Sequence, residues 1–155
     1  MSSQTPQTDV RPHAQTTTPE ATATGAAASL PLRLTGAALS VGVAWIHVVD
    51  QGGFPGSKTP TYVGIGYYVL ELVAVLVAAA LLFAPARQRV TGWFVAAGVA
   101  LGPLVGYVLS RGPGLPSYTD DRGNWSEPLG LISLVVEGLL LLLSLAVLRS
   151  ARRSA

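Results

Sequence analysis

Four long apolar runs constrain this chain more than any other feature of its sequence. A helix needs about 20 apolar residues to cross the ~30 Å hydrocarbon core of a bilayer. The runs lack the alternation of strands and are rich in Ala and Leu. They are Leu34–Val49, Tyr62–Phe83, Val90–Ser110 and Leu129–Leu148. The sequence therefore predicts an all-α fold, a four-helix transmembrane bundle with helices at about 30–49, 62–83, 90–110 and 129–148.

The segments that flank these runs are polar. Residues 1–28 are rich in Ser, Thr, Gln, Pro and Ala and have almost no large apolar side chains, which predicts a disordered cytoplasmic tail. Residues 29–150 form the predicted transmembrane domain, and residues 151–155 form a short basic cytoplasmic tail.

The basic residues predict the orientation of the bundle. In a four-span arrangement, seven of the ten Lys and Arg residues lie on the side of the termini and three on the other side. Because basic residues accumulate in cytoplasmic loops, both termini are expected in the cytoplasm and loops 50–61 and 111–128 outside. A multi-pass protein of the bacterial plasma membrane, with the lipid bilayer as its main partner, is the expected result.

Two glutamates fall inside the predicted spans. Glu71 lies roughly 14 Å and Glu137 roughly 12 Å below the outer helix starts, at 1.5 Å per residue. A charge at this depth costs on the order of 2.5–3.5 kcal/mol on the lenient insertion scale, so both side chains are expected to face the bundle interior. We expect the two carboxyls to lie within reach of one another or of a shared water.

Further polar residues cluster near the outer boundary. His47 and Asp50 are three apart on one helix face, Arg111 ends the third run at a similar level, and Tyr67 shares a stripe with Glu71. Two interpretations stay open. The residues are either a capping and ion-pair cluster at helix ends, or the rim of an outward-facing polar pocket above the two glutamates.

The third run carries small residues at strict four-residue spacing. They are Gly98, Gly102, Gly106 and Ser110. Small residues at this spacing let helix backbones approach closely in membranes, so the sequence predicts a helix-packing stripe.

Several classes of function lack the residues that they need. There are no cysteines, so thiolate metal sites, iron–sulfur clusters and haem attachment through Cys are excluded. No nucleophile triad, phosphate loop or metal-ligand spacing is present, which argues against an enzyme and predicts no metal and no cofactor. A net charge of +2 is too small to indicate nucleic acid.

Two stretches carry a family resemblance. They are IHVVDQGGFPGSKTPTYVGIGYYVLE and GYVLSRGPGLPSYTDDRGNWSEPLGLISLVVEG. The combination resembles a group of small four-span membrane proteins of high-GC actinobacteria, over about residues 30–148. That group has no assigned function, so the resemblance implies a host and a topology but no catalytic residues.

Two hypotheses about function follow. The first is a protein that handles a small molecule, a proton or a cation through an outward-facing polar pocket, with Glu71 and Glu137 as the responsive groups. The second is a structural or accessory subunit of a larger membrane complex. Either a homo-oligomer or a larger membrane-protein partner is compatible with the sequence.

Overall fold

A computed structural model of the chain describes residues 29–153. The described part contains four helices: α1 (Leu30–Asp50), α2 (Thr61–Phe83), α3 (Ala86–Arg111) and α4 (Pro128–Arg153). All four are long and apolar enough to cross a membrane. The predicted all-α four-helix fold is confirmed, whereas the predicted tail at 1–28 lies outside the described residues.

The helix ends differ from the apolar runs at two places. Helix α3 begins at Ala86, directly after Pro85, and therefore includes Arg87 and Arg89 ahead of its apolar run. Helix α4 continues to Arg153, so residues 151–153 of the predicted basic tail form its last turn. Hydrogen bonding continues a helix past the point where apolar residues stop, which explains both extensions.

Each helix packs against two neighbours around the bundle. Helix α1 contacts α2 and α4, α3 contacts α4 and α2, and α1 and α3 touch little. Near the ends that carry the chain termini, the Arg33 Nε donates to the Leu81 carbonyl oxygen at 2.6 Å, which ties the start of α1 to the end of α2. The opposite end, with segments 51–60 and 112–127, is called the long-loop end below.

The bundle buries small, polar and a few large apolar side chains and exposes many apolar ones. Trp93, Leu81 and Leu140 are fully buried, while Leu72 is 62% and Leu142 67% exposed. Exposed apolar side chains along every helix are what a hydrocarbon solvent requires. The protein is therefore an integral membrane protein with four candidate spans.

The predicted glycine stripe makes no close helix contact within the described chain. A Cβ atom added at Gly98, Gly102 or Gly106 would meet no atom within 4 Å among the described residues, although Ser110 is buried. Helix α3 instead packs through the face that carries Trp93 and Ala96, both fully buried. The side chains on that face bury more surface against the neighbouring helices than a row of glycines could, which explains why α3 packs through it.

Candidate functional site

A cavity of about 130 Å³ lies between the helices at the long-loop end. All four helices and the segment 112–127 contribute to its lining. Acidic, tyrosine and hydroxyl side chains make up much of the wall, which is unusual for the interior of a membrane bundle. The structure therefore contains both a cavity lined by polar side chains and ion pairs at the helix ends.

The deepest polar pair in this cavity joins α1 to α4. His47 Nε2 lies 3.9 Å from Glu137 Oε1, and Glu137 is only 1% exposed. His47 Nδ1 lies 2.9 Å from the Val43 carbonyl oxygen. Because a carbonyl can only accept, Nδ1 must carry the proton, and the lone pair of Nε2 in the neutral ring points toward Glu137.

Glu137 has one further partner on its own helix. The Ser133 hydroxyl, one turn earlier on α4, donates to the same Glu137 Oε1. A distance of 3.9 Å is too long for a hydrogen bond between His47 and Glu137. The imidazole Nε2 and the carboxyl Oε1 therefore lie on either side of a gap that a donor group could bridge.

Asp50 lies above His47 at the end of α1. Its carboxylate accepts from Lys58 Nζ at 3.1 Å and from the Tyr67 hydroxyl. The Tyr67 ring also meets the His47 ring edge-on, with centroids 5.1 Å apart. Tyr67 thereby connects the polar groups of α1 to α2. The stripe that Tyr67 shares with Glu71 predicted an inward-facing Tyr67 but not these contacts.

Arg111 is buried at the end of α3, and each of its three nitrogens has a partner. Nη2 pairs with Glu127 at 2.5 Å and Nη1 lies 3.6 Å from Asp121. Nη1 also donates to the Ser110 hydroxyl at 3.0 Å, and Nε donates to the Asn124 carbonyl at 3.1 Å. Arg111 therefore holds the segment 112–127 against the bundle through both side-chain and backbone partners.

Tyr118 closes the cavity from the segment 112–127. Its backbone exchanges two hydrogen bonds with Leu115, both at 2.9 Å, and its hydroxyl donates to Asp121 at 2.7 Å. Burial and the bond to Asp121 raise the pKa of Tyr118. A second tie comes from α2, where the Tyr62 hydroxyl donates to the Pro116 carbonyl at 2.7 Å.

Glu71 lies apart from this cavity. Its Oε1 accepts from Gln51 Nε2 at 2.8 Å, and Glu71 is not among the cavity-lining residues. Within residues 29–153, no hydrogen bond or ion pair joins Glu71 to Glu137. The structure thus brings together His47, Asp50, Tyr67, Arg111 and Glu137, but not the two glutamates.

Sequence reasoning missed several residues of the site. Ser133 precedes Glu137 by one helical turn, and this spacing predicts a shared inward-facing stripe, although Ser133 was not among the predicted site residues. Glu127 lies directly before α4, where an acidic side chain suits the helix dipole. Gln51 and Tyr118 carry no such signal, because only the folding of the loops brings them inside.

The last features of the site are its possible metal ligands and its similarity to known proteins. In the described part of the chain, no group of three or more His, Cys, Asp or Glu side chains could hold a metal ion. No protein-family model, no curated protein and no solved structure matches the chain.

Proposed function

We propose that this protein binds a small molecule carrying a protonated amine in the cavity at the long-loop end. The observation that carries the proposal is the pair of acceptors on either side of the gap, His47 Nε2 and Glu137 Oε1, 3.9 Å apart. An ammonium group has several N–H donors and can bond to both acceptors at once. An anion would find two acceptors and no free donor there.

The charges of the cavity favour the same class of ligand. Asp121 and Glu127 share Arg111, and Asp50 pairs with Lys58. Glu137 has no Lys or Arg partner among the described residues, and His47 is the only nearby base. A buried carboxylate without a counter-ion is costly in a membrane, and a cationic ligand would remove that cost.

The volume limits the size of the ligand. A cavity of about 130 Å³ is slightly smaller than the roughly 150 Å³ apolar cavity that holds benzene in an engineered protein. The ligand is therefore a small amine of about six heavy atoms or fewer. His47 Nε2 could also accept the proton that such an amine releases, which links binding to proton handling.

The proposed orientation places the cavity on the outer side of a bacterial plasma membrane. It rests on the seven-to-three division of Lys and Arg between the two sides. The chain has no cysteine, so single cysteines can be introduced at Ser117 and Gln88. An impermeant thiol reagent should label position 117 and not 88 in intact cells, and the opposite pattern would invert the orientation.

Binding can be tested with propylammonium chloride on the protein in lipid nanodiscs. Tyr107 lines the cavity and its ring lies 6.0 Å from that of Trp125, so tryptophan fluorescence should report ligand entry. Propylammonium should shift the fluorescence in a saturable manner, and 1-propanol, its neutral counterpart, should not. Equal responses to both compounds would reject the proposal, as would none to propylammonium.

A second candidate function is an accessory subunit of a membrane complex. The exposed glycines on α3 favour it, because Gly98 and Gly102 offer a surface that another helix can approach closely. Purification from native membranes in mild detergent tests it. A stoichiometric partner would favour this function, whereas a protein that purifies alone and binds propylammonium would favour the first.

A further inference from the structure

A second polar site lies between α1 and α2, outside the cavity described above. Gln51 is 4% exposed and Glu71 is 8% exposed, so both side chains are more than nine-tenths buried. Side chains lean toward the start of their own helix. Gln51, just after α1, therefore leans into the bundle, while Glu71 leans toward the long-loop end, which brings the two together across antiparallel helices.

The amide of Gln51 is only half satisfied. Its nitrogen donates to Glu71 Oε1 at 2.8 Å, but its buried oxygen Oε1 has no hydrogen-bond partner among residues 29–153. A buried polar atom without a partner costs about 1–3 kcal/mol and calls for an explanation. The unpaired oxygen belongs to the same planar amide as the nitrogen that donates to Glu71, so it is separated from the carboxylate by that one amide group.

The loop after α1 folds tightly over this pair. Gly52 and Gly53 have φ of 90° and 99°, a region that glycine adopts without strain, and they turn the chain back over the helix end. A Cβ atom at Gly56 would lie 2.6 Å from Gln51 Cγ, so the loop contacts the side chain directly. No side chain larger than hydrogen fits there.

The same turn gathers carbonyl oxygens beside Gln51. The position of a Cβ at Gly56 lies 2.6 Å from the Gln51 carbonyl oxygen and 2.5 Å from that of Gly53. Neither oxygen accepts a hydrogen bond from any described residue. Carbonyls at a helix C-terminus carry partial negative charge and bind cations in membrane transporters.

We propose that Gln51 and Glu71 form a binding site for an alkali cation such as sodium. The ligands are the Glu71 carboxylate and the Gln51 amide oxygen, with the carbonyls of the 51–56 turn close by. All are oxygen atoms, the ligands that hard cations prefer. One carboxylate balances one positive charge, so the occupied site is neutral, as burial in a membrane favours.

A monovalent ion fits better than a divalent one. A divalent ion would leave one uncompensated charge beside a single carboxylate in a buried position. Glu71 has no Lys, Arg or His partner within the described chain, so no basic side chain there balances the charge of its carboxylate. The site is separate from the His47–Glu137 pair and does not depend on the function proposed above.

Thermal unfolding of the purified full-length protein in detergent tests this site. The midpoint is compared in sodium chloride, potassium chloride and N-methylglucamine chloride at equal ionic strength, since N-methylglucamine is a cation too large for either site. Sodium should raise the midpoint by about 5 °C relative to N-methylglucamine, because a ligand that binds only the folded state stabilises it. Binding of radioactive sodium gives an independent measurement.

Three variants test whether the sodium-dependent rise of the midpoint comes from Gln51 and Glu71. Glu71→Gln keeps the shape of the pair but removes its charge, and Gln51→Leu removes the amide oxygen while keeping Glu71; both should lose the sodium-dependent rise. Glu137→Gln is the matched control, and it should keep the rise. The proposal is overturned if the wild type shows neither a rise nor sodium binding. It is also overturned if either measured effect persists in both Glu71→Gln and Gln51→Leu.

Discussion

The two helical hairpins of this bundle, α1–α2 and α3–α4, differ in how their loops pack against the helices beneath them. The loop 51–60 folds down onto Gln51, and Gly56 contacts that side chain directly, which closes the space above Glu71. The segment 112–127 is held at the end of α3 by Arg111 and leaves a cavity of about 130 Å³. The two loops therefore pack differently on the bundle, and only Glu137 of the two buried glutamates lines the cavity.

The two carboxyls themselves occupy equivalent places. Glu71 lies ten residues after the start of α2 and Glu137 nine residues after the start of α4, so both are roughly 14–15 Å along their helices. Their partners differ, because Glu71 meets an amide and Glu137 meets a hydroxyl and an imidazole. Equal depth therefore does not imply equal chemistry, and the variants below test the differences between the two hairpins.

Arg111→Met should produce the largest change in stability. It removes the ion pairs to Glu127 and Asp121 and the bonds to Ser110 and Asn124 that hold the segment 112–127. We expect a loss of about 2–4 kcal/mol, at the lower part of the range for broken buried pairs because both carboxylates are partly exposed. The thermal unfolding midpoint in detergent measures it.

Arg111→Lys is the matched control for that change. Lysine keeps the charge but cannot direct several donors to four partners at once, so it should recover only part of the lost stability. Full recovery would mean that charge alone holds the segment. An Arg111→Met protein as stable as the wild type would remove the proposed difference between the two loops.

Glu137→Gln should weaken binding of propylammonium by about 30-fold. The change removes the negative charge opposite the ammonium group but keeps the bond to Ser133, which corresponds to about 2 kcal/mol, the low end for a buried charge pair. Titration of tryptophan fluorescence in nanodiscs gives the dissociation constant. Glu71→Gln is the control and should change this constant less than twofold; equal losses in both variants would show that the carboxyls act together.

The sequence predicted most of the fold and about half of the cavity, for different physical reasons. Apolar length alone predicts four spans, and burying ionisable groups in a membrane predicts that His47 and Glu137 face inward. No direct hydrogen bond joins Glu71 to Glu137 in the described chain, because equal depth does not by itself bring two helix faces together. The bond to Gln51 makes the environment of Glu71 different from that of Glu137. The inward position of Gln51 follows from the fold of the loop 51–60.

Periodicity also could not show which face of α3 packs. Glycines at four-residue spacing and the face of Trp93 and Ala96 are both regular on a helix, and sequence pattern gives no measure of the area that each buries. Trp93 is fully buried in the structure, whereas Leu101, beside Gly102, is 50% exposed. The choice depends on the neighbouring helices, which a single helix pattern does not contain.

Lys58→Met should change stability by about 1 kcal/mol or less. Lys58 pairs with Asp50 at 3.1 Å, but the two side chains are 22% and 28% exposed, and exposed ion pairs contribute little. The loop 51–60 keeps its packing on Gln51 and Tyr68, so it should stay closed. A loss of stability as large as that of Arg111→Met, measured by the same thermal unfolding, would mean that each loop is held against the bundle by one basic residue.

Gly102→Leu should have the smallest effect on the folded chain. A side chain at Gly102 meets no atom within 4 Å, and leucine favours helix by up to about 1 kcal/mol over glycine, so the unfolding midpoint should stay equal or rise slightly. Gly36→Leu is the matched control on α1. There a Cβ would lie 2.5 Å from the Trp93 ring, and overpacking should cost about 1–3 kcal/mol. Size-exclusion chromatography of Gly102→Leu supplies the second measurement: an unchanged particle size would leave the α3 stripe facing lipid, whereas a smaller particle would assign it to a contact with another chain.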